Sequence, residues 1–296
     1  MRTLQCTVPA AFDGRPLKHL LRGELGISST LLKTLKWREG AILLNGASVH
    51  VNAVVRTGDT VTVVLSERAP RETDVAPLDI PLAIVYEDED LLVVNKGGQT
   101  PVHPSQGHHG DTLANFLMAY YKSIGLVAAF HPVNRLDRGT SGLMAVAKHP
   151  HAHEGLQRQL QEGRLTRTYL AVCQGVPDPA AGIVEAPIGR EPGSVLRRMV
   201  TPDGAFARTR YEVVQTGRGR SLVQLKLDTG RTHQIRVHMA HLGCPLVGDF
   251  LYGRETEELP DRFALHSASI RLEQPVTGEE ILLEAPLPRD LADLLT

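Results

Sequence analysis

The sequence predicts an α+β protein built on a mixed, mainly antiparallel sheet, with a small separate unit in front of it. Three observations carry this. Short apolar runs recur along the chain, many are joined by brief turns rather than by helices, and 296 residues exceed the usual size of a single domain. A doubly wound parallel sheet would place a helix in almost every connection.

Residues 1–66 read as the small unit. A helical pattern over 16–25 puts Leu17, Leu20 and Leu21 on one face and stops at Gly26. A second helix starts at Ser28 or Ser29 and carries Leu31, Leu32 and Leu35. A strand over 41–44 runs into the turn pair Asn45-Gly46, and Gly58-Asp59 precedes the alternating Val61, Val63 and Leu65. Residues 67–80, rich in charge and proline and without periodicity, read as a linker.

The larger unit, 81–296, alternates strands with short helices. Strands are expected at 82–86 and 91–94 around the acidic turn 87–90, then a helix over 113–121 capped by Asp111. The apolar run 143–147 reads as a buried strand, 152–162 as a polar-faced helix ended by Gly163, and 169–174 as another strand. Further strands follow at 209–215 and at 222–227, where Val223, Leu225 and Leu227 alternate with Gln224 and Lys226.

Composition narrows the class. No apolar run reaches about 18 residues and the N-terminus lacks a signal-peptide pattern, so neither a membrane span nor export is expected, and the cytoplasm is the expected location. Cys6, Cys173 and Cys244 form no CxxC pair, which argues against a disulfide framework or a cysteine metal site. The net charge is −1, but it is unevenly spread: from Arg135 to Arg236 there are 16 Lys plus Arg against 9 Asp plus Glu, and elsewhere 16 against 24. That asymmetry suits a polyanion-binding face on an otherwise acidic surface.

Three stretches carry chemistry. In NRLDRGTSG, residues 134–142, Asp137 sits between Arg135 and Arg138 before a turn whose glycines, Gly139 and Gly142, permit backbone angles that other residues resist. On its own this loop fits a reacting carboxylate and a structural ion pair equally well, and the arginines fit phosphate contact as well as neutralisation of the loop. In RLTRTYLAVCQG, residues 164–175, Tyr169 opens a strand. In LDTGRTHQIRVHMAHLG, residues 227–243, a strand ends at an Asp-Thr-Gly turn and a helix starts near Arg231, Thr232 and His233. His149, His151 and His153, and likewise His238 and His241, have no carboxylate or cysteine at ligand spacing, so no metal site is expected.

Taken together and in this order, the stretches resemble the nucleophile, tyrosine and arginine motifs of the RluA family of RNA pseudouridine synthases. LLVVNKGGQTPVHPS at 91–105, the GDTLANFL that follows it, CPLVGDFLYG at 244–253 and FALHSASIRLEQPVTGEE at 263–280 extend the resemblance over 81–296. The chain departs from the family at Asn134, where many relatives have His, and at Lys96-Gly97-Gly98-Gln99, where Lys-Pro-Ala-Gly is common. The paired helices, AILLNGASV and GDTVTVVL of residues 1–66 resemble an S4-like RNA-binding domain, with Lys18, Arg22, Lys33, Lys36 and Arg38 as its phosphate-facing residues.

The resemblance implies isomerisation of a uridine in structured RNA to pseudouridine. Asp137 would be the nucleophile, Tyr169 the ring packed on the base, and Arg231 the ion-pair partner of Asp137; Arg135, Arg138, Thr140, His233 and Arg236 would bind substrate. The physical roles are consistent: a carboxylate can attack a sugar carbon or the uracil ring, a guanidinium can fix it by paired hydrogen bonds, and a phenol offers a stacking face and an acid-base hydroxyl. The base must be extruded from the RNA to meet them. No electrons move and no group is lost, so no cofactor is expected. Large-subunit ribosomal RNA is the expected partner, with transfer RNA, or a non-catalytic RNA-binding protein on the same fold, as the alternatives. A monomer without an obligatory protein partner is expected. A carboxylate glycoside hydrolase would need a second acid that these motifs do not supply.

Overall fold

The structure, a computed structural model, describes residues 2–65, 75–105 and 107–296. The first segment has its own sheet and core. Along it come β1 (Thr3–Thr7), α1 (Leu17–Gly23), α2 (Ser29–Leu35), β2 (Ile42–Leu44), β3 (Ala47–Ser48) and β4 (Thr60–Val64), the strands pairing in the order β1-β4-β2-β3. The Ser28 side chain accepts a bond from the Leu31 amide at 3.0 Å and caps α2. Asn45 and Gly46, with φ of 49° and 83°, make the tight turn from β2 to β3. Leu17, Leu20 and Leu21 pack against Val61, Val63 and Leu65 in one cluster. The sequence gives little sign of β1, because its one buried side chain is Leu4. Arg38, expected to face phosphate, instead donates to the Val64 carbonyl.

The larger unit continues with β5 (Ile84–Glu87), β6 (Leu91–Lys96), α3 (Leu113–Ser123), β7 (His131–Pro132), β8 (Ser141–Ala147), α4 (Pro150–Gln161) and β9 (Thr166–Gln174). Then come β10 (Ala181–Glu185), β11 (Ile188–Arg190), β12 (Arg198–Val200), β13 (Arg208–Gly217), β14 (Arg220–Leu227), α5 (Gln234–His241), β15 (Leu265–Glu273), β16 (Glu280–Glu284) and α6 (Arg289–Ala292). Ten strands form one sheet in the order β10-β13-β14-β9-β15-β8-β6-β5, with β7 beside β8 and β16 beside β15. The β15–β8 pair is parallel and the rest are antiparallel, as the class expected. β8 shows no polar alternation because both its faces are covered: Met144 and Val146 join a core with Leu117 and Tyr121, while Leu143, Ala145 and Ala147 join another with Leu156 and Ile270.

β15 sets the geometry of the centre. Its residue Ser267 pairs with Gly142 of β8 on one side and with Tyr169 of β9 on the other. Gly142 has φ of 105°, and a Cβ there would lie 2.3 Å from the Ser267 carbonyl oxygen, so only glycine fits. Gly139 differs from expectation. Its φ is not left-handed; what it supplies is room, since a Cβ would come within 2.6 Å of the Phe263 ring. The cap of α3 also differs: Thr112 takes the Asn115 amide, while Asp111, one residue too early, pairs with His108 at 2.6 Å.

The two units meet at Asp90, which is buried. Arg2 donates to it through Nε at 2.7 Å and Nη2 at 3.0 Å, Gln274 through Nε2 at 2.6 Å, and His149 Nε2 lies 2.8 Å away. Ser28 adds a bond to Glu154 at 2.7 Å. Of the linker expected over 67–80, residues 67–74 lie outside the described residues; beyond them, Asn115 of α3 donates to the Ala76 carbonyl and accepts from the Leu78 amide through its own carbonyl.

Candidate active site

Asp137 lies on the loop that enters β8, and its backbone carbonyl accepts the Thr140 amide at 3.0 Å, closing the turn that Gly139 makes possible. Lys96, at the end of β6, ties the loop down from beneath. Its buried ammonium donates to the carbonyls of Gly97, Thr100 and Arg138 at 2.8, 2.9 and 3.1 Å, three acceptors for three hydrogens. Burial, with help from Arg262, pushes its pKa down to about 7, and the nearby charge of Asp137 pulls it upward.

The partner of Asp137 is Arg236, whose Nη1 lies 3.3 Å from Oδ2. This corrects the expected pairing with Arg231. The reason lies in where α5 begins: it starts at Gln234, so Arg236 sits in its first turn and is buried, whereas Arg231 belongs to the exposed turn before it and donates through Nε to the Phe206 carbonyl. Gln234 shapes that turn by accepting from the Thr229 hydroxyl and the Arg231 amide at 2.8 and 2.9 Å.

Arg236 is itself held by Asp249 through Nε and Nη2, at 2.7 and 2.8 Å, the bidentate geometry of a strong pair. The amides of Leu251 and Tyr252 also donate to Asp249 Oδ1. The Phe263 ring centroid lies 4.0 Å and the Tyr252 centroid 5.1 Å from the guanidinium carbon. Burial alone would disfavour the cation, but the bonds to Asp249 outweigh it and raise the pKa.

His233 completes this side. It occupies the left-handed region with φ of 58°, and its Nε2 lies 3.9 Å from Asp137 Oδ2. The Tyr252 hydroxyl accepts the Arg198 amide at 2.8 Å and is 2.8 Å from His233 Nδ1. Burial lowers the imidazole pKa against the pull of Asp137, favouring the neutral ring. Since the hydroxyl can then donate to Nδ1, the neutral tautomer carries its proton on Nε2, facing the carboxylate.

Asp137, His233 and Arg236 line a small solvent-open cleft of about 60 Å³ with Tyr169 on its wall, beside Arg135, Thr140 and Arg231. Asp137, Tyr169, Arg231, Thr140, Arg135, His233 and Arg236 are thus brought to one cleft. Arg138 is exposed outside it. Among the described residues Asp137 Oδ1 makes no hydrogen bond, so one carboxylate oxygen is held and the other is free to react.

The arginines of 135–236 are less available than their number suggests. Arg164, Arg197, Arg208, Arg210 and Arg220 are committed to carboxylates. Arg135, Arg138 and Arg231 form no ion pair among the described residues, as Arg158, Arg167, Arg190, Arg198, Arg218 and Lys226 also form none, and of these Arg135 and Arg231 line the cleft. Asp249, Lys96 and Phe263 were not picked out from the sequence. All three lie in quoted segments, CPLVGDFLYG, LLVVNKGGQTPVHPS and FALHSASIRLEQPVTGEE, but nothing in their spacing shows that those segments meet beneath the carboxylate. The histidines have local structural roles: His149 caps α4 and bonds Asp90, and His238 bridges Thr209 and the Ala186 carbonyl.

Residues 90–241 match the family model described as RNA pseudouridylate synthase. The chain is 44% identical over 273 residues to the uncharacterized RNA pseudouridine synthase YjbO of Bacillus subtilis, covering 92% of this chain and 96% of that one. It is 40% identical over 269 residues to the ribosomal large subunit pseudouridine synthase D of Vibrio cholerae, covering 86% and 82% respectively. Among solved structures, human RNA pseudouridylate synthase domain containing 1 superposes with a TM-score of 0.57 at 31% identity, over 70% of this chain and 83% of that one. No helix among the described residues is long and apolar enough to cross a membrane. The cleft around Asp137 therefore lies within a chain that belongs to the RluA family of RNA pseudouridine synthases, enzymes that isomerise uridine to pseudouridine in RNA.

Proposed function

We propose that the chain isomerises uridines of large-subunit ribosomal RNA with Asp137 as nucleophile, acting as a monomer in the cytoplasm without a protein partner. The observation that carries the reading is the half-tethered carboxylate: Arg236 holds Oδ2 at 3.3 Å while Oδ1 is free, in a cleft walled by Tyr169. The relatives named as large-subunit enzymes support the choice of RNA. Asp137 forms a bond to the flipped nucleoside and the bond from N1 to the ribose breaks; the base turns, C5 joins the ribose carbon, the bond to Asp137 breaks and frees the carboxylate, and the C5 proton leaves as N1 gains one, so substrate and product are isomers. Tyr169 stacks on the base, and its hydroxyl is placed to take part in that proton transfer. Arg135, Arg138 and Arg231 take phosphate, Thr140 and His233 contact the nucleotide, and residues 1–66 form an S4-like RNA-binding domain joined by the linker 67–80 to the catalytic domain, 81–296.

The test is to map pseudouridines in total RNA from cells with the gene, without it, and with an Asp137→Ala copy restored. Sites should vanish without the gene and stay absent with the Ala copy. Persistence in all three samples defeats the activity, and return with the Ala copy defeats the role of Asp137. Binding to RNA should also weaken steeply with salt.

A further inference from the structure

The chain has a single tryptophan, Trp37, and it is 80% exposed in the turn that follows α2. A ring of that size left in water gives up a large burial gain, so a partner that covers it would be strongly favoured. Leu35, two residues earlier at the end of α2, is buried in the small core, whereas Trp37 is left out of it. Lys36 Nζ lies 4.8 Å from the centre of the indole. Lys36 also lines a groove between α1 and α2 with Lys18, Arg22 and Lys33, floored by Leu32 and Val51. Among the described residues none of these four cations forms an ion pair, and the carboxylates closest in sequence, Glu24 and Glu39, pair with none of them.

A row of unneutralised cations ending at an exposed flat ring matches a polymer of phosphates that carries accessible base faces. Bases inside a duplex are stacked on each other and offer none, whereas an unpaired base offers a whole face. We propose that Trp37 makes the phosphate-facing groove of residues 1–66 a single-strand site, in which one unpaired base stacks on the indole while the phosphates of the same segment lie along Lys18, Arg22, Lys33 and Lys36. The proposal rests on RNA being the substrate. It adds to that reading a contact remote from Asp137 and a requirement for single-stranded RNA beside the target.

Because Trp37 is the only tryptophan, the fluorescence of the intact protein reports this site alone. The probes are a ten-nucleotide single-stranded RNA, an abasic strand of the same length and a ten-base-pair RNA duplex. The single strand should quench the fluorescence, and the other two should not. Trp37→Ala should weaken binding of the single strand about tenfold, and Trp37→Phe, which keeps a stacking face, much less. Lys33→Ala with Lys36→Ala should flatten the salt dependence by about two phosphates' worth. Absence of quenching by the single strand, or equal affinity of the wild type and Trp37→Ala, overturns the proposal and leaves the patch to a protein partner. Equal quenching by single strand and abasic strand also overturns it, since phosphate alone would then suffice. Pseudouridine formation by the wild-type protein is measured separately, so a failure of the stacking site with conversion intact is distinct from a failure of the RNA reading itself.

Discussion

Asp249 grips Arg236 through two bonds of 2.7 and 2.8 Å, both shorter than the 3.3 Å contact from Arg236 to Asp137. The guanidinium is thus a fixed part of the scaffold, stacked on Phe263, and presents its Nη1 to the carboxylate in the cleft. Lysine at this position could not reproduce the fork. Arg236→Lys is therefore expected to lower kcat by about 100-fold on ribosomal RNA from cells lacking the gene, and Asp249→Asn by about 10-fold. Arg231→Ala should raise KM with kcat within about threefold. A collapse of kcat in Arg231→Ala with Arg236→Lys still active would reverse the assignment of the two arginines.

Lys96 gives a pH signature. The unfolded chain keeps this proton up to about pH 10.5, while the folded protein releases it near 7. Between those values the unfolded state binds more protons, so this group makes the fold more stable as pH rises through the window. Denaturant unfolding of wild type and Lys96→Met at pH 6, 8 and 9.5 should show their difference shifting toward the wild type with rising pH. A constant difference would mean that the three carbonyls keep the amine charged in the fold.

Asp90 behaves in the opposite sense. Burial would push its carboxyl up, but hydrogen bonds from His149, Arg2 and Gln274 outweigh it and hold the pKa at about 2. Its contribution is present above an unfolded value of 3.8 and is lost as pH falls toward 2. Asp90→Ala leaves those donors unpaired at the junction of the two units and is expected to cost about 3 kcal/mol by urea unfolding at neutral pH. Its stability should fall less than that of the wild type on acidification. An unchanged acid limb would refute the role.

Gly142→Ala sets a Cβ 2.3 Å from a backbone oxygen at a left-handed φ, and the neighbouring strand cannot give way. A loss of about 3 kcal/mol or more in thermal or denaturant unfolding is expected. Gly139→Ala meets only the edge of the Phe263 ring, which can tilt. It should cost less stability but more activity, because that ring supports Arg236.

Most elements of the fold were legible because their burial is one-sided and periodic, as in β4 and β14, or because a turn pair such as Asn45-Gly46 marks them. β1, β7, β10, β11, β12, β15 and β16 were not. β1, β10, β11 and β12 bury at most one side chain each and owe their existence to a neighbouring strand, while β15 mixes buried serine and histidine with apolar residues and so shows no clean alternation. Of the cleft, Asp137, Tyr169 and the general neighbourhood of α5 were legible as motifs. Which arginine meets the carboxylate was not, since that depends on α5 starting at Gln234 rather than at Arg231, a shift within the ordinary uncertainty of a helix boundary. Asp249 was hidden for a different reason. It acts through Arg236, and no local pattern distinguishes an acid that supports a site from one that faces water.

The position of β15 has a consequence for how the chain comes into being. This strand, residues 265–273, is made late, yet it is inserted between β8 and β9, whose residues were made some hundred positions earlier. A nascent chain that stops short of Leu265 has two half-sheets and no seam to join them, with Asp137 attached to one half and Tyr169 to the other. Closing the sheet is a long-range event that follows local folding. The two residues acquire their distance from each other only when Ser267 is seated between them, so assembly of the cleft waits for nearly the whole length of the protein.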